Sequence, residues 1–221
     1  MIKKIQILIF ILFALLFLNS ILLSETYNYK IYFKGIKGGK AKLTINKNNN
    51  NVTAKFLLKT TGLVDKFYKI RDTITVIASY PNYHTIKLDR KINEGKYHKH
   101  IIFDVSKIDT SSLSSPIRDE YTAMIMLMDS IYVNSYKVRL NLFKESKEIS
   151  YEFIKTKNKR ILFNGKQVLC NFYEPTHKSS SKLKKKGGMG LSIWMSKTIP
   201  MKPIIIEFDL KYGSLHLELT K

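Results

Sequence analysis

An all-β fold is predicted here: mostly β with one helix, built as a strongly curved antiparallel sheet or open half-barrel with the helix packed on its concave face. Three observations carry the prediction. Apolar side chains recur at every second position through most of the chain, the mark of strands with one wet face. Short clusters of Asn, Gly, Ser and Pro separate these runs. A single segment, from Asp119, changes to the helical period.

Tyr27, Tyr29, Ile31 and Phe33 alternate with Asn28, Lys30, Tyr32 and Lys34, and Ala41, Leu43 and Ile45 alternate with Lys40, Lys42 and Thr44. Val52, Ala54, Phe56 and Leu58 follow the Asn-rich stretch Lys47 to Asn51, which reads as a hairpin loop. Gly35, Gly38 and Gly39 permit a tight turn between the first two strands. Further strands are expected at Thr73 to Tyr80, Tyr83 to Ile92, Lys96 to Asp104, Tyr136 to Phe143, Ile149 to Ile154, Lys159 to Phe163 and Gln167 to Tyr173. Asn164-Gly165 suits a primed turn, where both central residues accept positive φ. The last strands are Leu191 to Met195, Ile204 to Leu210 and Ser214 to Thr220, the final pair joined at Tyr212-Gly213. About ten strands of this length, a usual size for one sheet, would make a single domain.

The helix is expected from near Arg118 to Ser130. Tyr121, Met124, Ile125 and Met128 form an i, i+3, i+4, i+7 stripe, and Ser115-Pro116 or Asp119 suits its first turn. With nearly every other element a strand, the stripe belongs against the concave face of the sheet. Lys107 to Ser115 and Glu174 to Gly190 read as loops.

Residues 1–24 have the layout of a secretory leader. Lys3 and Lys4 precede a run that is apolar from Ile5 to Leu18 apart from Gln6, and small or polar residues follow to Ser24. Residues 25–221 are then one exported, β-rich domain of the periplasm or cell envelope. The alternative is an uncleaved anchor, since the apolar run to Leu23 nears the lower limit of about 17 residues for a spanning helix.

The chain carries a formal charge of +21, which falls by two to +19 without Lys3 and Lys4. Nucleic acid is not the expected partner. Export removes it, and only Arg71, Arg90, Arg118, Arg139 and Arg160 offer the planar fork that reads phosphate and bases. Heavy use of Lys, Asn and Ile together reads first as compositional drift. Attraction to an anionic membrane or cell-wall polymer is the functional reading of the same charge. Cys170 is the only cysteine, so no internal disulfide can form, and a small buried apolar role suits it.

No chemistry is legible in the motifs. His98 and His100 share a strand face that Asp104 continues, but zinc wants at least three close protein ligands. Gly190-Leu191-Ser192-Ile193-Trp194 lacks the second glycine and the following helix of a nucleophile elbow. Acids are sparse, and Asp89-Arg90 and Arg118-Asp119 place them beside cations. The expectation is a non-enzymatic protein with no cofactor and no metal.

Several blocks, in order, resemble an uncharacterised family of exported bacterial proteins, that of domain of unknown function 3108. They are Gly35-Ile36-Lys37-Gly38-Gly39-Lys40-Ala41; Thr60-Thr61-Gly62-Leu63 with Phe67-Tyr68 and Asp72; a glycine turn leading to Tyr97; Arg118-Asp119-Glu120-Tyr121; and Gly190 to Met195 with Pro200, Pro203 and Gly213 onward. The resemblance implies an exported, mostly β domain and brings no activity, cofactor or catalytic residue. By looser analogy, a curved sheet holding a helix looks like the half-barrel of periplasmic lipoprotein carriers, which settles nothing about function.

The expected function is therefore to bind or carry an apolar or amphipathic ligand, such as a lipid, in a cavity between helix and sheet. Met124 and Met128 are its expected adaptable lining and Trp194 its wall. The alternative is a polyanion- or membrane-surface-binding assembly module. An envelope hydrolase is the third reading.

Overall fold

A computed structural model describes residues 23–33, 35–67, 69–107, 117–129, 137–144, 147–176, 190–198, 201–210 and 213–220. Most of the leader and of the two loops, and all of Ser115-Pro116, Ser130, Tyr136, Pro200 and Tyr212, lie outside the described residues. Leu23 and Ser24, counted above with the leader, are the first residues of a strand.

Twelve strands form one antiparallel sheet. They are β1 (Leu23–Phe33), β2 (Ile36–Lys47), β3 (Asn51–Thr60), β4 (Arg71–Ser79), β5 (Thr85–Glu94), β6 (Tyr97–Asp104), β7 (Lys137–Lys144), β8 (Lys147–Phe163), β9 (Lys166–Pro175), β10 (Gly190–Ser196), β11 (Pro203–Leu210) and β12 (Gly213–Leu219). Their spatial order is β6-β5-β4-β3-β2-β1-β12-β11-β10-β9-β8-β7, so hairpins join neighbours and the two ends of the chain meet where β1 pairs with β12. The period-two reading holds in β1, where Tyr27, Tyr29 and Ile31 are buried while Asn28 and Lys30 are exposed, and in β4, but not in β6, which buries no residue, or in β9, where Cys170 to Tyr173 are all buried. Asn164 and Gly165 turn at φ 50° and 73°, as their pairing predicts.

Three details differ from expectation. The sheet has twelve strands rather than about ten. Ile149 to Ile154 and Lys159 to Phe163 are one strand, β8, whose polar middle is an irregularity in register between Lys155 and Lys157 rather than a break. A short helix, α1 (Gly62–Phe67), links β3 to β4 and packs on β2.

The long helix, α2, spans Glu120–Met128, shorter at both ends than Arg118 to Ser130. It touches both β4 and β7, the third and the twelfth strands of the sheet order. In a flat sheet, nine spacings of about 4.8 Å would hold those strands about 43 Å apart. The sheet is therefore curled around the helix, and its edges, β6 and β7, remain open.

The expected stripe is buried, and the core uses more than the stripe. All eight residues from Tyr121 to Met128 are buried, so the face opposite the stripe, with Thr122, Ala123, Met126 and Leu127, is covered as well. A helix that is apolar on every side belongs inside a core. Tyr121 packs on Phe56 of β3 at 5.3 Å between ring centroids.

Two buried carboxylates fix the helix at its ends. Asp119 is the N-cap: Oδ1 accepts the N–H groups of Tyr121 (2.7 Å) and Thr122 (3.0 Å), and Oδ2 accepts the hydroxyls of Thr85 and Thr122, both at 2.8 Å. Asp129, just past the last turn, accepts from Tyr83 Oη at 2.5 Å and Lys47 Nζ at 3.4 Å. Burial would penalise either charge without such donors, so these contacts are conditions of placing a carboxylate there.

Candidate functional site

Of the three residues expected to form a site, Met124 and Met128 are 2% and 8% exposed and belong to the main core. Trp194 is half-buried and packs against that core. Register pairs it with Phe172 and Ile205 on one face of the sheet, while its neighbour Ile193 faces Tyr173 and Ile206 on the other, buried face. The Trp194 and Phe172 rings are tilted with centroids 4.6 Å apart, and Lys157 Nζ lies 4.5 Å from the Phe172 centroid and 5.7 Å from that of Trp194. This is an aromatic pair, half-buried at Trp194 and buried at Phe172, capped by the ammonium of an exposed lysine, a contact worth about 0.5–1 kcal/mol.

The histidine pair is likewise occupied on the surface. His98 meets Asn93 at 3.1 Å and His100 meets Asp89 at 2.9 Å, while Asp104 accepts from the backbone and hydroxyl of Ser106. Among the described residues, no group of three His, Cys, Asp or Glu could hold a metal ion. Cys170 is fully buried, and burial pushes its thiol up to about 11, which disfavours the thiolate that a nucleophile requires.

The outer face of β1 to β4 is different. Register places Lys30 opposite Lys40, Lys40 opposite Lys59, and Lys59 opposite Arg71, so four cations stand in one row across four adjacent strands. Strands spaced about 4.8 Å apart put the row's ends roughly 14 Å from each other. The next row on this face, Asn28, Lys42, Leu57 and Thr73, carries no acid. Both rows line a groove of about 890 Å³, which Lys37 also borders.

Acids do little to neutralise it. Asp72, the one carboxylate of the lining, is buried on the inner face and accepts the Asn93 N–H at 2.8 Å. Asp65 of α1 forms a two-point pair with Arg71, with N–O distances of 2.7 and 2.9 Å, and takes a hydrogen bond from Thr60 Oγ1. Arg71, then Thr60, hold the Asp65 carboxyl down at about 2. Glu218 faces Lys30 across β12, but its ion-pair contact is with His216. Lys40 and Lys59 thus form the part of the row with no acid opposite, while Lys30 faces Glu218 on its other side.

Two glycines allow this arrangement. A Cβ at Gly39 would lie 2.6 Å from the Lys59 carbonyl oxygen, and one at Gly38 would lie 2.7 Å from Val64 Cγ2. Their absence lets β2 close on β3 beside the row and lets α1 sit on β2, where Gly38 also accepts the Thr61 N–H at 2.9 Å.

Such a groove can hold an anion with several charged oxygens by point-charge contacts and lysine hydrogen bonds. The row is absent from the sequence reading. Each lysine was visible on the polar phase of its strand, but only the register aligns them.

The family model described as Protein of unknown function (DUF3108) matches residues 28–220. Among curated proteins, none matches the chain. Among solved structures, a beta-barrel-like protein of domain of unknown function DUF1849 from Brucella abortus is similar over 90% of this chain and 97% of its own, at 11% identity and a TM-score of 0.46. At that level nothing about function follows from the likeness.

Proposed function

We propose that this chain, which belongs to the DUF3108 family, is an exported, non-enzymatic envelope protein that binds an anionic envelope component along the cation row of β1 to β4. The row carries the reading. Like charges directly opposite one another destabilise a sheet pair, so the two successive lysine pairs, Lys30 with Lys40 and Lys40 with Lys59, favour an anion lying over them. Export rests on the leader-like residues 1–24.

An apolar or amphipathic ligand between helix and sheet, lined by Met124 and Met128, is the second reading. It would have to displace side chains buried on every side of a helix tied at both ends. The outer groove needs no such rearrangement, and the geometry favours it.

Linear inorganic polyphosphate tests the reading by isothermal titration. Affinity should fall steeply as salt rises, because the contacts are exposed and screened. The double variant Lys40→Glu/Lys59→Glu should lose binding, whereas Lys166→Glu, at the exposed start of β9, should keep it. Equal loss in both variants would reduce the interaction to net charge and refute a site on β1 to β4.

A further inference from the structure

Next to Lys37, at the border of the groove, β2 and α1 carry an apolar tip. Ile36 at the start of β2 is 65% exposed, and Leu63 and Phe67 of α1 are 71% and 88% exposed. Leu63 and Phe67 are one helical turn apart and so share a side of α1, while Val64 is the residue that meets β2 at Gly38. Single exposed apolar residues are ordinary, but three large ones at one end of a sheet, two of them on one short helix, are not.

The tip is held firmly. Arg71 clamps Asp65, Thr60 Oγ1 donates to Asp65, and Thr61 N–H donates to Gly38. The same Arg71 ends the cation row, so α1 and the groove are one unit. Around the tip stand Lys37, Lys66 and Lys69, all exposed, and the one acid of α1, Asp65, is spent on Arg71. Large apolar side chains bordered by cations are complementary to a bilayer whose surface is anionic: chains enter the acyl boundary and ammonium groups meet phosphates.

Resting on the groove reading above, we infer that the physiological anion is a membrane surface: Ile36, Leu63 and Phe67 insert into an anionic lipid bilayer, with Lys37, Lys40 and Lys59 on its headgroups. A soluble polyanion would engage the row and leave the tip unused.

Flotation with phosphatidylcholine vesicles, with and without phosphatidylglycerol, tests this alongside polyphosphate titration. The wild-type chain should bind only the phosphatidylglycerol-containing vesicles. Leu63→Ser/Phe67→Ser should weaken vesicle binding by about tenfold or more while keeping polyphosphate affinity, since both side chains are already in water and their loss spares the fold. Lys40→Glu/Lys59→Glu should lose both ligands. Circular dichroism of each variant checks folding. Binding of polyphosphate but not of anionic vesicles, or wild-type vesicle binding by Leu63→Ser/Phe67→Ser, would overturn the membrane inference and leave the groove reading standing. Binding of neither ligand by the wild type would overturn both.

Discussion

Replacing Lys40 by Glu should make this protein more stable and less able to bind anions. Lys40 stands between Lys30 and Lys59 in register, with a cation opposite it on both sides. Two unit charges about 5 Å apart in a water-like medium repel by about 0.8 kcal/mol, and flexible lysines splay to reduce this. Cross-strand charge pairs contribute roughly 0.2–1 kcal/mol each, so turning two repulsions into two attractions should yield about 1–2 kcal/mol. For a domain of this size each kcal/mol moves Tm by about 2–4 °C, a rise of roughly 2–8 °C in low salt. At about 1 M salt, where the screening length is about 3 Å, most of the gain should vanish. Differential scanning calorimetry at the two salt levels reads the stability, and polyphosphate titration reads the binding. A lower Tm, or a gain indifferent to salt, would refute the claim that the row is an electrostatic strain retained for a ligand.

Met124→Ala should destabilise by about 2–5 kcal/mol in urea unfolding, because the side chain is 2% exposed in the core, and should leave polyphosphate affinity unchanged. A change in affinity would bring the interior back into the site. Asp65→Asn should separate from wild type above about pH 4 and converge with it toward pH 2: the native carboxyl titrates at about 2, below its unfolded value, so its contribution is present when ionised and is lost as pH falls through that value. Acid titration followed by circular dichroism measures the gap, which should not persist once both forms are neutral. Gly39→Ala should cost about 1–3 kcal/mol of stability in the same urea assay, since its Cβ would meet the Lys59 carbonyl at 2.6 Å and the backbone of β3 would have to move.

Strands such as β1 and β4 were legible because each buries one face, and the resulting period is written in residues such as Tyr27, Tyr29 and Ile31. The helix was legible as a helix but not in its surroundings. Thr122, Ala123, Met126 and Leu127 complete an apolar circumference, and reading only the stripe through Met124 and Met128 left a wet side that the curled sheet does cover. Lys155, Thr156 and Lys157 looked like a strand break because a polar run and a register irregularity are alike in sequence. Helix α1 went unread since six residues are too few to display a period. The blocks from Gly35 to Gly213 were enough to point to the family, whose model spans 28–220.

The site was hidden for a different reason. A slip of one residue would move a strand's lysines to the other face, so no single strand says which lysines meet. Lys30, Lys40 and Lys59 looked like members of a lysine-rich composition until β1, β2 and β3 were set side by side. Trp194 is legible as a large apolar face in the Gly190 to Met195 block, yet its partners, Phe172 and Lys157, come from β9 and β8 and could not be named in advance.

Titrating tripolyphosphate into the isotopically labelled protein and following backbone amide shifts tests the cation row most directly. The account predicts that the largest shifts cluster at Lys30, Lys40, Lys59 and Arg71 and fade with added salt. Shifts concentrated in α2, or spread evenly over remote exposed lysines such as Lys159 and Lys166, would contradict it.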